Sequence, residues 1–246
     1  MKVLVYDKYK REEGYSSLAS LLPTDIIYLC LPTLYDETRR TYAMDELDST
    51  LRILADMEYS GVILVKSTVL PGYCQEKNTA YPRLTIMHNP EFLTARTAAA
   101  DFKAQGHIIL GYTTESKPRA PWVESFYADL FPAATISVHS AATSALTKLA
   151  ANSFYATKVQ YFTELYLLCL RTGIDYETVK DLLLENGWIN PMHTAVPGPD
   201  GEISFGGACL PKDISALNEY AAGLDQPHAV MAAVISERNV LRRRQT

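Results

Sequence analysis

Over its first 140 positions the chain alternates short, almost unbroken apolar runs with stretches of helical periodicity. VLVY (3–6), DIIYLCL (25–31), GVILVK (61–66), RLTIMH (83–88), HIILGY (107–112) and TISVHS (135–140) read as strands. Runs rich in β-branched residues and lacking polar alternation suit strands covered on both faces. EGYSSLASLL, MDELDSTLRILADMEYS and KPRAPWVESFYADLF read as the helices between them. Strand–helix–strand alternation predicts a mostly parallel sheet joined by right-handed crossovers.

The pattern changes after His139. SALTKLAANSFYATKVQYFTELYLLCLRTG is one long helical stretch, closed by Gly173. DYETVKDLLLENG is a second helix with Asp175 as N-cap. A loop rich in proline and glycine follows, and then helices over roughly 211–223 and 226–243. Residues 1–140 are therefore expected to form an α/β domain, and residues 141–246 an all-helical one.

Composition narrows the function. Of the 246 residues, 48% are hydrophobic and 21% charged, so the chain can bury a core and is not a disordered polymer. The net charge of −5 argues against nucleic acid as a partner, because only Arg242, Arg243 and Arg244 form a local basic run. No segment holds the roughly 20 apolar residues that span a bilayer, and the N-terminus lacks a signal-peptide core. A cytoplasmic protein is expected. Cys30, Cys74, Cys169 and Cys209 form no CxxC pair, so free thiols are expected. The five histidines show no ligand spacing, and no metal is assigned.

Four strings carry chemistry. In FGGACLPKD (205–213), Gly206 and Gly207 allow close backbone approach, and Cys209 opens a helix whose first turn holds Pro211. A helix N-terminus favours the thiolate; a structural cysteine beside a tight loop fits the same pattern. In NPEFLTARTAAADF (89–102), Glu91 follows a strand and could serve as a base or orient water. A helix-start glutamate is the alternative. In TKLAANSFYATK (147–158), Lys148 and Asn152 lie one turn apart, suiting oxyanion stabilisation or simply a solvated helical face. KSTVLPGY (66–73) and CLPT (30–33) end strands with hydroxyl residues and a proline.

Taken in order, DIIYLCLPT, VKSTVLPG, NPEFL, TKLAANSFYATKVQYFTEL and VPGPDGEISFGGACLPKD resemble the UDP-glucose/GDP-mannose dehydrogenase family over about residues 25–240. The resemblance implies a trimmed Rossmann-like α/β domain followed by a helical domain. It implies NAD-dependent oxidation of the C6 hydroxymethyl of a nucleotide sugar to a carboxylate. Cys209 matches the nucleophile that forms a thiohemiacetal and then a thioester. Lys148 and Asn152 match the oxyanion partners, Asp213 the carboxylate that activates water, and Glu91 the glutamate of NPEFL. Thr68 matches a position shared by catalysis and cofactor; Asp7, Thr33, Ser67 and Lys212 match cofactor contacts. Phe92, Leu93, Phe205 and Gly206 match substrate-loop positions. The resemblance also implies a homodimer through the long helix 142–172.

Three departures shape further expectations. The family's G-x-G-x-x-G turn, which cradles pyrophosphate at a helix N-terminus, has no counterpart in the sequence. A missing first strand would leave a gap of roughly 4.8 Å in the sheet. VLVY is therefore expected to slide beside DIIYLCL, with Asp7, Lys8, Tyr9 and Lys10 where the glycine turn would be and NAD affinity low or absent. The family's C-terminal nucleotide-sugar-binding domain is also expected to be absent. Ala95 stands where a second glutamate is usual, and Ser204 and Leu210 replace a glycine and a phenylalanine. A sugar- or nucleotide-binding module, or a regulatory partner of a full-length enzyme, is the alternative function.

Overall fold

The structure, a computed structural model, describes residues 2–10 and 12–243. It divides into two compact units, Met1–Thr33 with Ala43–Lys148 and Leu34–Tyr42 with Leu149–Thr246. No boundary at residue 140 anticipates the first segment of the second unit, which leaves the α/β part for nine residues and returns.

The first unit holds strands β1 (Ile26–Leu29), β4 (Val62–Val65), β5 (Thr85–His88), β6 (His107–Tyr112) and β7 (Thr135–Ser140) in the order β1-β4-β5-β6-β7. Neighbours run parallel except β5 and β6, which pair antiparallel through Met87–Tyr112 and His88–Gly111. The intervening β2 (Tyr35–Asp36) and β3 (Thr41–Tyr42) form a small hairpin in the second unit.

The sheet is covered on both faces, as the unbroken apolar runs require. In β4, Ile63 and Val65 face one core with Leu47, Leu51 and Leu54 of helix α1 (Asp45–Asp56). Val62 and Leu64 face the other, with Val123 and Tyr127 of α4 (Ala120–Leu130). The α1 leucines recur at helical spacing and are all fully buried. Each such leucine stabilises the fold by about 2 kcal/mol. Helix α2 (Tyr73–Ala80) packs against β5, and α3 (Ala98–Lys103) precedes β6.

VLVY does not enter the sheet, contrary to expectation. Among the described residues β1 pairs only with β4. The Val5 carbonyl accepts from the Ser16 N–H at 2.6 Å, so the segment folds back on its own neighbour. Val3 is 70% exposed, and only Leu4 reaches the core. Residues 7–10 form a separate turn, in which Asp7 accepts from the Tyr9 N–H at 2.9 Å and Lys8 pairs with Glu46 at 2.5 Å. EGYSSLASLL yields only a 3₁₀ turn, Leu18–Leu21, started by Ser17.

Helix α5 (Ala141–Thr172) opens in the first unit and continues into the second. The second unit adds α6 (Tyr176–Glu185), α7 (Leu210–Gly223) and α8 (Ala229–Arg243). Asp175 caps α6, accepting from the Thr178 N–H at 2.9 Å. Phe162, Cys169, Tyr176 and Val196 form one core there; Ala156, Phe205, Ile214 and Val234 form another. Of the basic tail, Arg244 lies outside the described residues.

At the carboxyl ends of the strands one buried hub joins three elements. Asn89 directly follows β5, is 1% exposed, and accepts at Oδ1 from Lys66 Nζ (2.9 Å) and the Tyr127 hydroxyl (2.5 Å). Its Nδ2 donates to the Ile109 carbonyl on β6 at 2.9 Å. Burial draws the Lys66 ammonium down to about 8, against the partial support of nearby Cys30 and Glu91. Native Lys66 therefore gives up its proton before the unfolded lysine does, which titrates near about 10.4. The cost of burying this cation is present below its native value and is relieved as pH rises towards the unfolded one. Between about pH 7 and 9.5 the wild type should gain up to about 2 kcal/mol of stability relative to Lys66→Met, at about 1.4 kcal/mol per unit. Denaturant titrations of both proteins measure the difference; an identical pH response would show that the lysine is not desolvated.

Candidate active site

Two polar clusters contain most of the residues singled out by the sequence, one in each unit.

In the first unit the Asn89 hub fixes the start of the loop bearing Glu91. Glu91 is not on a helix. Its Oε2 accepts from the Leu93 N–H at 2.6 Å and its Oε1 meets Lys148 Nζ at 3.3 Å. Lys148 is 4% exposed, in the last part of α5 that belongs to this unit, and its ammonium lies 5.1 Å from the centre of the Phe92 ring. Phe92 is itself exposed and Leu93 half-buried. Lys148 is thus neutralised by Glu91 and does not project from a solvated helical face.

The turns after β1 and β4 are bound to each other. Ser67 accepts from the Leu31 N–H at 2.9 Å and donates to the Leu31 carbonyl at 2.6 Å. The Thr33 hydroxyl donates to the Thr68 carbonyl at 2.9 Å. Ligands of open α/β sheets bind outside such strand ends. The turns at Thr33, Ser67 and Thr68 stand at such strand ends, where an open α/β sheet would receive a dinucleotide; Thr33 and Ser67 are buried, and their hydroxyls are bonded to backbone. No glycine-rich cradle for its pyrophosphate occurs among the described residues, and Asp7 spends its carboxylate on its own turn.

In the second unit Cys209 occupies the N-terminal boundary position of α7, exposed, with Pro211 in the first turn. Asp213 lies one turn further on, its N–H donating to the Cys209 carbonyl at 3.0 Å. Asp213 is fully buried. Its carboxylate accepts from Asn152 Nδ2, the Tyr42 hydroxyl and Lys212 Nζ, each at 2.5 Å. Asn152 is 6% exposed, so it too is not part of a solvated face.

The loop leading to Cys209 is tied down at successive residues. Ser204 donates to Gln160 Oε1 at 2.6 Å, and its carbonyl accepts from Arg242 at 2.8 Å. The Phe205 carbonyl accepts from Arg238 Nε at 3.2 Å, while its ring is buried in the core. What approaches Gly206 closely is the protein's own Asp200–Arg242 pair: a Cβ there would sit 2.6 Å from the Asp200 carboxylate. Gly207 has a φ of +74°, in the left-handed region that favours glycine.

The geometry regroups the expected pairs. Lys148 was expected to act with Asn152; the contacts place Lys148 with Glu91 and Asn152 with Asp213. Lys66, Asn89, Tyr127 and Tyr42 went unrecognised. The hub offered one faint signal, a lysine and an asparagine at the ends of adjacent buried strands. Tyr42 offered none beyond an aromatic residue on either side of the polar run DETRRT. Among the described residues no group of three or more His, Cys, Asp and Glu side chains could hold a metal ion. Among the described residues no helix is long and apolar enough to cross a membrane.

Residues 8–131 match the NAD binding domain of the UDP-glucose/GDP-mannose dehydrogenase family, and residues 142–239 match its central domain. A UDP-glucose 6-dehydrogenase of Rickettsia conorii is 30% identical over 200 residues, 79% of this chain and 43% of its own length. A GDP-mannose 6-dehydrogenase of Pseudomonas savastanoi pv. phaseolicola is 29% identical over 219 residues, 82% of this chain and 48% of its own. The chain thus spans less than half the length of these curated relatives. The solved UDP-glucose dehydrogenase of Pyrobaculum islandicum superposes with a TM-score of 0.79 at 24% identity, covering 92% of this chain and 52% of that one. It shares the fold: a mostly parallel Rossmann-like sheet followed by helices. With both matched domains in sequence order, the chain belongs to the UDP-glucose/GDP-mannose dehydrogenase family, and its first half is that family's NAD-binding domain.

Proposed function

We propose that this chain carries the cofactor and thiol portions of a nucleotide-sugar 6-dehydrogenase, which oxidises a C6 hydroxymethyl to a carboxylate. The observation that carries the reading is the exposed Cys209 at the N-terminus of α7, one turn ahead of a buried carboxylate held by three donors.

In this reading the Cys209 sulfur attacks the aldehyde carbon formed by the first oxidation. A C–S bond forms, the carbonyl oxygen takes up a proton, and a thiohemiacetal results. After the second oxidation Cys209 holds a thioester. Water adds to its carbonyl, the C–S bond breaks, the sulfur recovers a proton and the carboxylate leaves. In the second unit Asn152, already beside Asp213, donates to the oxygen on which negative charge develops; preorganised donors of this kind contribute about 10²–10³-fold in kcat. Asp213 orients the water that attacks the thioester. At the strand ends of the first unit, Thr33, Ser67 and Thr68 would line the NAD site. NAD supplies the hydride acceptor for both oxidations. In the first unit Phe92 and Leu93 would line the approach of the sugar.

Two measurements test this. Cys209→Ser should abolish carboxylate formation from UDP-glucose or GDP-mannose in the presence of NAD, while thermal melting is unchanged. Equal turnover by wild type and variant would sink the thioester route.

The same reading includes a homodimer formed through the long helix. Phe154, Tyr161 and Leu168 repeat every seven residues on α5 and are 63%, 59% and 58% exposed. A repeat of seven keeps them on one stripe of the helix. Phe154→Glu with Tyr161→Glu should convert a dimer to a monomer in sedimentation. A wild-type chain that sediments as a monomer at all concentrations would reject the interface.

A further inference from the structure

We propose that Tyr42 is the residue that positions Asp213, and that the hairpin Leu34–Tyr42 exists in the second unit to deliver it. The inference rests on the role given above to Cys209 and Asp213.

The hairpin is short and tightly specified. β2 and β3 pair through Tyr35–Tyr42 and Asp36–Thr41. Asp36 closes the turn, accepting from the N–H groups of Thr38 and Arg39 at 2.9 Å each. Arg40 adopts a φ of +54°, unusual for a side chain of its size, and its guanidinium reaches Glu219 on α7 at 2.7 Å. Strained backbone of this kind persists where the surroundings over-determine it.

These contacts aim one side chain. Tyr42 is 2% exposed and donates its hydroxyl to Asp213 Oδ1 at 2.5 Å. The Lys212 ammonium, bound to the same oxygen, lies 4.8 Å from the centre of the Tyr42 ring. Asn152 occupies the other oxygen. A carboxylate held at both oxygens cannot rotate about its Cβ–Cγ bond, so its orientation is set before any substrate arrives. Burial and the Asp213 charge hold the Tyr42 phenol protonated well above the ordinary tyrosine range, so Tyr42 acts as a donor. Tyr42 need touch no substrate; it acts through Asp213.

The test is a double-mutant cycle in the presence of NAD and nucleotide sugar, with Cys209→Ser as a parallel control. Tyr42→Phe should lower kcat about tenfold with KM unchanged, as expected when a small misplacement is introduced at a reacting group. In an Asp213→Asn background the same change should have no further effect, because residues acting through one group are not additive. The wild type should also show a downfield hydroxyl proton in NMR spectra that is lost in both Tyr42→Phe and Asp213→Asn. That signal reports the contact even if a variant folds poorly. Wild-type kcat in Tyr42→Phe, with Cys209→Ser inactive, would overturn the positioning role and leave the thiol mechanism standing. Equal losses from Tyr42→Phe in both backgrounds would likewise overturn it. If Cys209→Ser turns over as fast as wild type, the mechanism itself fails, and the role of Tyr42 fails with it.

Discussion

A fully buried carboxylate is the constraint around which the second unit is organised. Removing an ionised group from water costs several kcal/mol unless its oxygens are paired. Asp213 meets that cost with three donors from three stretches of chain: a hairpin near residue 40, the middle of α5, and its own helical neighbour. The segment Leu34–Tyr42 belongs to this unit although its sequence neighbours on both sides belong to the other. The hydrogen bond from Tyr42 gives that excursion a physical purpose. The exposed thiol of Cys209 stands at the end of the helix so braced.

The first unit shows the same economy with opposite charge. Lys66 is half-buried at a strand end, and its ammonium donates to carbonyl oxygens, Asn89 Oδ1 at 2.9 Å and the Pro90 carbonyl at 3.5 Å. The bonds of Asn89 to Lys66, Tyr127 and Ile109 lock the exit of β5 to β4, α4 and β6. The loop carrying Glu91 begins from that fixed point, and Glu91 in turn neutralises Lys148. A rigid sheet thereby presents a polar loop at its carboxyl edge, where open α/β folds build their sites.

Periodicity made much of the architecture legible. The runs at 107–112 and 135–140 became strands over their whole lengths, and the long helix ran within one residue of its expected start. In β6 the apolar residues Ile108, Ile109 and Leu110 are the buried ones, so local pattern and tertiary demand agree. VLVY failed for the converse reason. Strand propensity becomes a strand only with an edge to pair with, and this segment satisfied its backbone locally through Ser16. The hairpin at 35–42 was invisible because two-residue strands have no measurable period. The candidate site residues stood out as residue types within the ordered motifs that place the chain in its family.

The order of residues along the chain settled a mostly parallel sheet, a long helix, and a cysteine opening a helix one turn before an aspartate, because these follow from repeats of two and 3.6 residues and from adjacency. Partnership was decided only in three dimensions. Lys148 could neutralise Glu91, Lys66 could hold Asn89, and Tyr42 could reach Asp213 only once loops distant in sequence had been brought together. The physical reason is that a buried charge selects whichever donor the packed fold carries to within about 3 Å, and no periodicity records that distance.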